Sequence, residues 1–129
     1  NIMNNSEIKW ISDDILGFVI KQKGIKMGLE ALGRSVVSEI QTSISTPYPP
    51  SSKPGEPPHM RTGRLRSEVK WTLETPEDFT LTIGVFPETP EDEKKALELE
   101  YGSSRMRPRP FIRRVLETIP QKVQEIFED

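Results

Sequence analysis

The placement of proline constrains this chain more than any other sequence feature. Twelve of its 129 residues are proline, and half of these lie between Pro47 and Pro58. Proline lacks a backbone N–H and clashes with a preceding helical turn, so this stretch can be neither a regular helix nor a central strand. A second, arginine-rich stretch contains Pro108 and Pro110. Because Leu65 and Phe111 open amphipathic segments directly after these stretches, both are expected to be anchored contact loops.

Length and composition indicate a single domain. A chain of 129 residues can bury one hydrophobic core but is too short for two domains. Hydrophobic residues make up 33% and charged residues 29%, so the core is expected to be thin and much of the chain to be loop or solvated helix face. We expect one domain over residues 1–129, with residues 1–6 disordered. We also expect neighbouring proteins to bury part of the surface of this domain.

Composition also bears on location and chemistry. The absence of cysteine excludes disulfides and thiolate chemistry. A net charge of -2 argues against nonspecific DNA binding by the whole domain, because phosphate neutralisation needs clustered positive charge. No apolar run approaches the roughly 20 residues of a membrane span, and the first residues lack the pattern of a signal peptide. We expect a soluble, unexported protein without membrane contact.

Before the first loop, the sequence predicts a strand and two helices. Residues 7–11 fit a short strand, after which Ser12 can cap a helix with Asp13 and Asp14 in its first turn and an end near Gly24. Residues 25–45 have an apolar residue every three or four positions, which predicts a helix of about five turns. Proline at position 47 then ends this helix. The apolar stripe consists of Leu29, Leu32, Val36, Ile40 and Ile44.

The first loop, residues 46–61, is expected to be a long, stiff arm of extended or polyproline-like conformation. Thr62 can then cap a helical turn that begins at Gly63. Apolar and polar residues alternate over residues 69–74 and again over residues 79–85, around a run of turn-forming residues. This alternation predicts a β-hairpin with one apolar face.

The C-terminal part of the chain predicts two further helical segments. Residues 91–100 begin with three acidic side chains, as a helix start favours. Apolar residues from Phe111 to Phe127 are spaced as an amphipathic helix that is kinked or restarted at Pro120. No internal repeat is evident. The fold class is therefore α+β, with an antiparallel hairpin or small sheet packed against a long N-terminal helix and a C-terminal helix, and with two proline-rich loops.

Catalytic and cofactor-binding patterns are mostly missing from the sequence. His59 is the sole histidine and lies in the first loop, so a metal site would have to rely on carboxylates. The adjacent residues Glu91, Asp92 and Glu93 point in different directions on a helix and fit a solvated helix start better than a cation site. No phosphate loop, dinucleotide fingerprint or nucleophile elbow is present. We expect a protein that is not an enzyme and has no metal or cofactor.

Five arginines crowd the second loop and the residues that follow it: Arg105, Arg107, Arg109, Arg113 and Arg114. Such a cluster could contact nucleic-acid phosphates. We favour charge pairing with the acidic residues 91–100, within the chain or between copies, since those residues would repel a phosphate backbone. The same two interpretations, contact with nucleic-acid phosphates or pairing with acidic residues, apply to Arg61, Arg64 and Arg66. A further alternative is docking of residues 47–50 to a proline-recognising module.

Together, the two loops resemble a family: the minor tail-component proteins of long-tailed double-stranded-DNA phages, also described as tail-completion or neck proteins. The resemblance covers residues 20–129 and rests on four short motifs in a fixed order. These are Pro57-Pro58, Arg61-Thr62-Gly63-Arg64-Leu65, Tyr101-Gly102-Ser103-Ser104 and Arg109-Pro110-Phe111. The long stretch 47–53 and the N-terminal segment are less typical of the family.

The resemblance implies a noncatalytic virion protein of the neck or tail, made in the bacterial cytoplasm, that acts in several copies at the head–tail junction. Its implied partners are head-completion and tail-terminator components and further copies in a ring, with no specific nucleic acid. In one ring arrangement, the acidic run of one copy faces Arg105 and Arg107 of the next. The expected contact residues are Pro54, Gly55, Pro57, Pro58, Arg61, Thr62, Gly63, Arg64, Leu65, Tyr101, Gly102, Arg105, Arg107, Pro108, Arg109, Pro110 and Phe111.

Two alternatives to this function stay open. One is a small nucleic-acid-binding or RNA-cleaving domain of toxin type, whose binding would weaken steeply with salt and whose activity would depend on His59. The other is an adaptor whose proline-rich arm docks to a host module.

Overall fold

A computed structural model describes residues 6–11, 16–22, 26–74 and 79–127 of the chain. Within these ranges, strands and helices combine into an α+β fold, as predicted. A long helix follows the first two strands, and a hairpin lies between the two loops. The elements are β1 (Ser6–Ile11), β2 (Leu16–Gln22), α1 (Lys26–Ser43), α2 (Arg64–Glu68), β3 (Val69–Glu74), β4 (Phe79–Val85), α3 (Pro90–Tyr101), α4 (Arg113–Leu116) and α5 (Ile119–Phe127).

The four strands form one antiparallel sheet in the order β1-β2-β4-β3. The predicted hairpin is confirmed as β3 and β4, with Val69 opposite Val85 and Leu73 opposite Leu81. Since residues i and i+2 lie on one face of a strand, this register places the apolar residues of both strands on the same face. The predicted turn, residues 75–78, lies outside the described residues.

The N-terminal segment differs from the prediction. Where a helix was expected, residues Leu16–Gln22 form a strand that pairs with both β1 and β4. Its sequence is rich in aromatic and β-branched residues, which favour strands, and Gly17 faces Gly84 where the two backbones approach closely. The predicted cap and first turn, residues 12–14, lie outside the described residues. Ser6 begins β1, so the expected disorder of residues 1–6 is wrong at that position.

Helix α1 covers the sheet and supplies one side of the core, as predicted. Its stripe residues Leu29, Leu32, Val36 and Ile40 are buried, as is Ile44 directly after the helix end, and the helix packs against β3 and β4. Gly33 lies against the ring of Trp71, where an added Cβ would approach ring carbons to 2.8 Å. This contact lets the helix pack closely onto the hairpin. Buried sheet residues of the core are Leu16, Val69, Leu81, Ile83 and Val85.

The C-terminal helical segment is split in two, close to the predicted break. Helix α4 ends at Leu116, and α5 begins at Ile119 with Pro120 as its second residue, a position that requires no intrahelical N–H bond. Both segments pack against α1. Their buried residues are Val115, Ile119 and Val123, which join Phe111 and Ile112 in the core. Among the described residues, no helix has the length and apolar character needed to cross a membrane.

Candidate interaction surface

The first loop folds back on itself and is not the extended arm that the prolines predicted. The Tyr48 N–H donates to the Met60 carbonyl at 2.9 Å, and the Met60 N–H donates to the Thr46 carbonyl at 2.7 Å. The peptide bonds Tyr48–Pro49 and Pro49–Pro50 are cis. Inside the loop, His59 Nδ1 donates to the Pro50 carbonyl at 2.5 Å. These hydrogen bonds join the two ends of the loop.

The two proline-rich loops contact each other, although they are far apart in the sequence. The Gly55 N–H donates to the Pro108 carbonyl at 2.9 Å. The guanidinium of Arg109 donates to the Ser52 carbonyl through Nε and Nη2, each at 3.3 Å, while the Arg109 N–H donates to the Leu99 carbonyl at 2.6 Å. The two stretches therefore form one continuous surface, which the sequence motifs did not reveal.

Gly63 turns the chain from the first loop into α2. Its φ of 82° lies in the left-handed region, which costs a side-chain-bearing residue strain energy. The Thr62 hydroxyl accepts a hydrogen bond from the Arg64 N–H at 3.2 Å, but Gly63 occupies the cap position, so the prediction of Thr62 as the helix cap is wrong. The helix itself begins at Arg64, one residue later than predicted, and Leu65 packs against the core.

Arg64 pairs with carboxylates of its own chain. Its Nε lies 2.8 Å from Asp92 Oδ2 and 4.0 Å from Glu68 Oε2, and its Nη2 lies 3.5 Å from Glu88 Oε2. The favoured pairing with the acidic residues 91–100 within the chain therefore holds for Arg64, through Asp92. Arg64 joins α2 to the beginning of α3.

Glu68 and Asp92 share this cluster and have opposite pKa shifts. The buried Glu68 carboxyl accepts a hydrogen bond from the Glu88 N–H at 2.8 Å. Burial raises the pKa of Glu68; the Glu88 N–H opposes that shift, and the neighbouring Asp92 carboxyl adds to it. Desolvation alone would raise the pKa of Asp92, but hydrogen bonds with Glu68 and Thr89 and the charge of Arg64 lower it overall. Relative to an ordinary carboxyl group, Glu68 therefore holds its proton more tightly and Asp92 releases its proton more readily.

A fully buried carboxylate, Glu100, closes the base of the second loop. Its Oε1 accepts hydrogen bonds from the N–H groups of Phe111 and Ile112, both at 2.9 Å, and its Oε2 accepts from the Arg113 N–H at 3.1 Å. Arg113 Nε also donates to Oε2 at 2.7 Å. The favoured alternative of pairing within the chain thus holds for Arg113. The capping role of Glu100 is not evident from the sequence, where Glu100 is one of several acidic residues in the run 91–100 and its partners follow 11 to 13 residues later.

The tip of the second loop is a tight turn that exposes two arginines. The Ser103 N–H donates to the Met106 carbonyl at 2.8 Å, and Gly102 has a φ of 82°. A Cβ at Gly102 would lie 2.9 Å from both the Met106 carbonyl oxygen and a Pro108 ring carbon, so the position demands glycine for space as well as conformation. Arg105 and Arg107 are exposed and have no carboxylate partner among the described residues.

A groove of about 490 Å³ lies between the first loop, α2, α3 and the second loop. Its apolar lining includes Ile44, Leu65, Leu99 and Met106. Of the residues predicted for contact, the groove brings together Pro58, residues 61–65 and Arg109. The other predicted contact residues lie outside it: Pro54, Gly55, Pro57, Tyr101, Gly102, Arg105, Arg107, Pro108, Pro110 and the buried Phe111.

The described part of the chain contains no group of three or more His, Asp or Glu side chains arranged to hold a metal ion. No protein-family model, no curated protein and no solved structure matches the chain. The resemblance to phage tail-completion proteins therefore rests on the sequence motifs.

Proposed function

We propose that the protein is a noncatalytic structural component of a phage or prophage virion that acts in head–tail joining or tail completion at the neck. The observation that supports this function best is the contact between the two proline-rich loops, Gly55 to Pro108 and Arg109 to Ser52. Of the residues that carry the family resemblance, Arg109 takes part in this contact, and it lines one groove together with Pro58 and residues 61–65. This shared placement of separate sequence motifs supports a role in recognising a neighbouring protein.

The internal bonding of both loops fits a docking role. Hydrogen bonds from Tyr48 to Met60 and from Met60 to Thr46 hold the first loop, and the Glu100 carboxylate holds the base of the second. Loops that are ordered before binding lose little conformational entropy when a partner contacts them. A protein that joins preassembled heads and tails benefits from such surfaces, since its neighbours meet a shape that already exists.

Assembly in several copies around the channel axis is part of the proposal. Arg105 and Arg107 are exposed without carboxylate partners among the described residues, whereas Asp92 and Glu100 of the acidic run are occupied within the chain. Acidic side chains available to a neighbour are therefore Glu91 and, in part, Glu93. A contact between different surfaces of successive copies closes into a ring when the rotation permits. The other proposed partners are head-completion and tail-terminator proteins of the same virion.

Nucleic-acid binding is less well supported by the groove. Its lining combines five basic residues with the acidic residues Glu68, Asp92 and Glu98, and these three carboxylates oppose a phosphate backbone. His59 uses Nδ1 to bond the loop carbonyl of Pro50. We therefore do not propose the toxin-type alternative.

The test is to disrupt the gene in the phage or prophage genome that encodes it, induce particle production, and examine the lysate by negative-stain electron microscopy. We expect DNA-filled heads and separate or malformed tails, with joined virions restored by the wild-type gene supplied in trans. Normal virions from the disrupted genome would overturn the proposed function.

A further inference from the structure

Strand β3 is an edge of the four-stranded sheet, since the strand order β1-β2-β4-β3 gives it a single neighbour. A sheet edge presents unpaired backbone N–H and C=O groups, to which another strand can add. No proline interrupts β3, and its pairing with β4 runs without a bulge. The strand is therefore suited to pairing with a second chain.

Alternate residues of β3 direct their backbone groups away from the sheet. In an antiparallel pair, positions that bond the neighbouring strand alternate with positions that face away from it. The Phe86 N–H donates to the Glu68 carbonyl at 2.8 Å, and this bond sets the alternation, so positions 70, 72 and 74 bond β4. Positions 69, 71 and 73 therefore face outward.

One end of this outward row is already used within the chain. The Val69 N–H donates to the Arg66 carbonyl, and the Val69 carbonyl accepts a hydrogen bond from Gln41 Nε2 at 3.3 Å. The outward N–H and C=O groups of Trp71 and Leu73 form no hydrogen bond with another described residue. The free part of the edge is therefore residues 71–73.

The sequence of β3 is complementary to itself when two copies run antiparallel about Thr72. In this register, Lys70 of each copy stands opposite Glu74 of the other, and Thr72 stands opposite Thr72. Trp71 stands opposite Leu73, so the two outward-facing residues exchange backbone hydrogen bonds and bring apolar side chains together. Opposite charges and paired threonines also stabilise adjacent strands. Every pair in this register is therefore favourable.

Lys70 and Glu74 are available for such a contact. Both are exposed, and neither forms an ion pair with another described residue. Opposite them on β4 stand the uncharged residues Gly84 and Thr80. A shift of two residues in either direction separates both charge pairs, and a shift of one residue places outward backbone groups against inward ones. The charges therefore select a single register.

We propose that β3 is the interface of a two-fold dimer of this chain, in which two four-stranded sheets join edge to edge. The contact is isologous, because the same residues meet from both copies. Residues 69–74 line neither the groove nor the tip of the second loop, so this inference goes beyond the proposed function and does not depend on it. The dimer covers an edge that would otherwise be open to nonspecific strand pairing.

A disulfide at position 72 tests the register, because the chain has no cysteine of its own. Opposed residues of a non-hydrogen-bonded pair have Cα atoms about 4.5 Å apart, within the range that a disulfide spans. Thr72→Cys should therefore form a covalent dimer under mild oxidation. The control is Lys70→Cys, an exposed position on the same face of β3. Its two copies lie four residues out of register, roughly 13 Å apart along the strand, which is too far for a disulfide.

Charge reversal tests the predicted ion pairs. Lys70→Glu places like charges opposite each other at both ends of the contact, so we expect a dimer that is several-fold weaker by sedimentation equilibrium. Lys70→Glu combined with Glu74→Lys restores both pairs in swapped form and should restore wild-type association. Far-UV circular dichroism of each variant should match wild type, since both positions are exposed.

A disulfide formed preferentially at position 72, together with rescue by the double reversal, would support the interface. A wild-type protein that sediments as a monomer throughout the concentration series would overturn the proposal. Equal disulfide yields at positions 70 and 72, or a Lys70→Glu protein that dimerises as tightly as wild type, would also overturn it.

Discussion

Glu100 and Arg113 form an ion pair, with Nε 2.7 Å from Oε2, in which the carboxylate is completely buried and the arginine is half exposed. The two residues stand on either side of the second loop, and the Glu100 carboxylate also accepts the N–H groups of Phe111 and Ile112. A single buried side chain therefore closes the loop at its base. This closure allows the tip, with Arg105 and Arg107, to keep its shape in solvent.

Replacing Glu100 should destabilise the protein strongly. Glu100→Ala leaves buried N–H groups without an acceptor and removes the partner of Arg113, so we expect the free energy of unfolding to fall by roughly 3–5 kcal/mol. Urea denaturation of the variant and of wild type measures this change. Glu117→Ala, at an exposed position in the same region, is the control and should change stability by less than about 0.5 kcal/mol. Equal effects of the two substitutions would refute the capping role of Glu100.

The Glu68–Asp92 pair should make stability depend on pH in two directions. The pKa of Glu68 is raised from its ordinary 4.5, so the folded state holds this proton more tightly and stability falls as pH rises above 4.5 through the raised value. The pKa of Asp92 is lowered from its ordinary 3.8, so its stabilising effect is present above pH 3.8 and is lost as pH falls through the lowered value.

Glu68→Gln separates the two effects. Glutamine can accept from the Glu88 N–H and donate to Asp92, as protonated Glu68 does. We expect this variant to lose the decline in stability that wild type shows as pH rises from 4.5, while it keeps the loss at acid pH. Urea denaturation across a pH series measures both effects, the decline in stability above pH 4.5 and the loss of stability at acid pH. Asp92→Asn should remove the loss at acid pH. A Glu68→Gln profile parallel to that of wild type throughout would be inconsistent with a raised Glu68 pKa.

Gly63 should tolerate asparagine better than alanine. Its φ of 82° is strained for residues with a side chain, but the nearest atom to an added Cβ, Met60 Sδ, is 3.7 Å away, so the cost is conformational and not steric. We expect Gly63→Ala to lower the free energy of unfolding by about 1–2 kcal/mol, and Gly63→Asn by less, since asparagine visits the left-handed region more readily. Thermal and urea unfolding of both variants provide the comparison. Equal losses would indicate that something other than backbone conformation requires glycine here.

Charge reversal at the loop tip should impair assembly without impairing the fold. Arg105→Glu with Arg107→Glu changes two exposed side chains that have no carboxylate partner among the described residues, so the melting temperature should stay near that of wild type. Supplied in trans to a disrupted genome, this variant should restore few joined virions. The matched control, Lys26→Glu with Arg34→Glu on the exposed side of α1, should restore them fully. If both variants restored joined virions equally well, the loop tip would not be part of the assembly surface.

Local patterns in the sequence predicted much of the fold. The apolar stripe of α1 and the alternation in β3 and β4 gave the correct elements, because one face of each is buried against the same core. The error at Leu16–Gln22 arose from the acidic residues before it, which resemble a helix start. That segment instead completes a sheet by pairing with β4, a partner about sixty residues away, and local signals do not report such pairing.

The candidate surface was only partly predictable from the sequence, again because local signals do not report contacts between distant parts of the chain. The motifs identified the two loops, and Gly63, Leu65 and Phe111 play the structural parts that their residue types suggest. The contact between Arg109 and Ser52, however, joins residues 57 positions apart, and two of the partners of Arg64, Glu88 and Asp92, lie beyond the hairpin. Opposite charges were visible in the sequence, but the choice among several possible carboxylates is made by tertiary packing.

Labelling of purified particles tests the proposed location in the virion. A phage that carries an epitope-tagged copy of the gene, with wild-type plating efficiency as the control for the tag, is purified by density gradient and labelled with gold-conjugated antibody. We expect gold at the junction between head and tail, and several copies of the protein per particle by quantitative mass spectrometry. Particles that lack the protein, with all of it left in the soluble fraction of the lysate, would show that it is not a neck component.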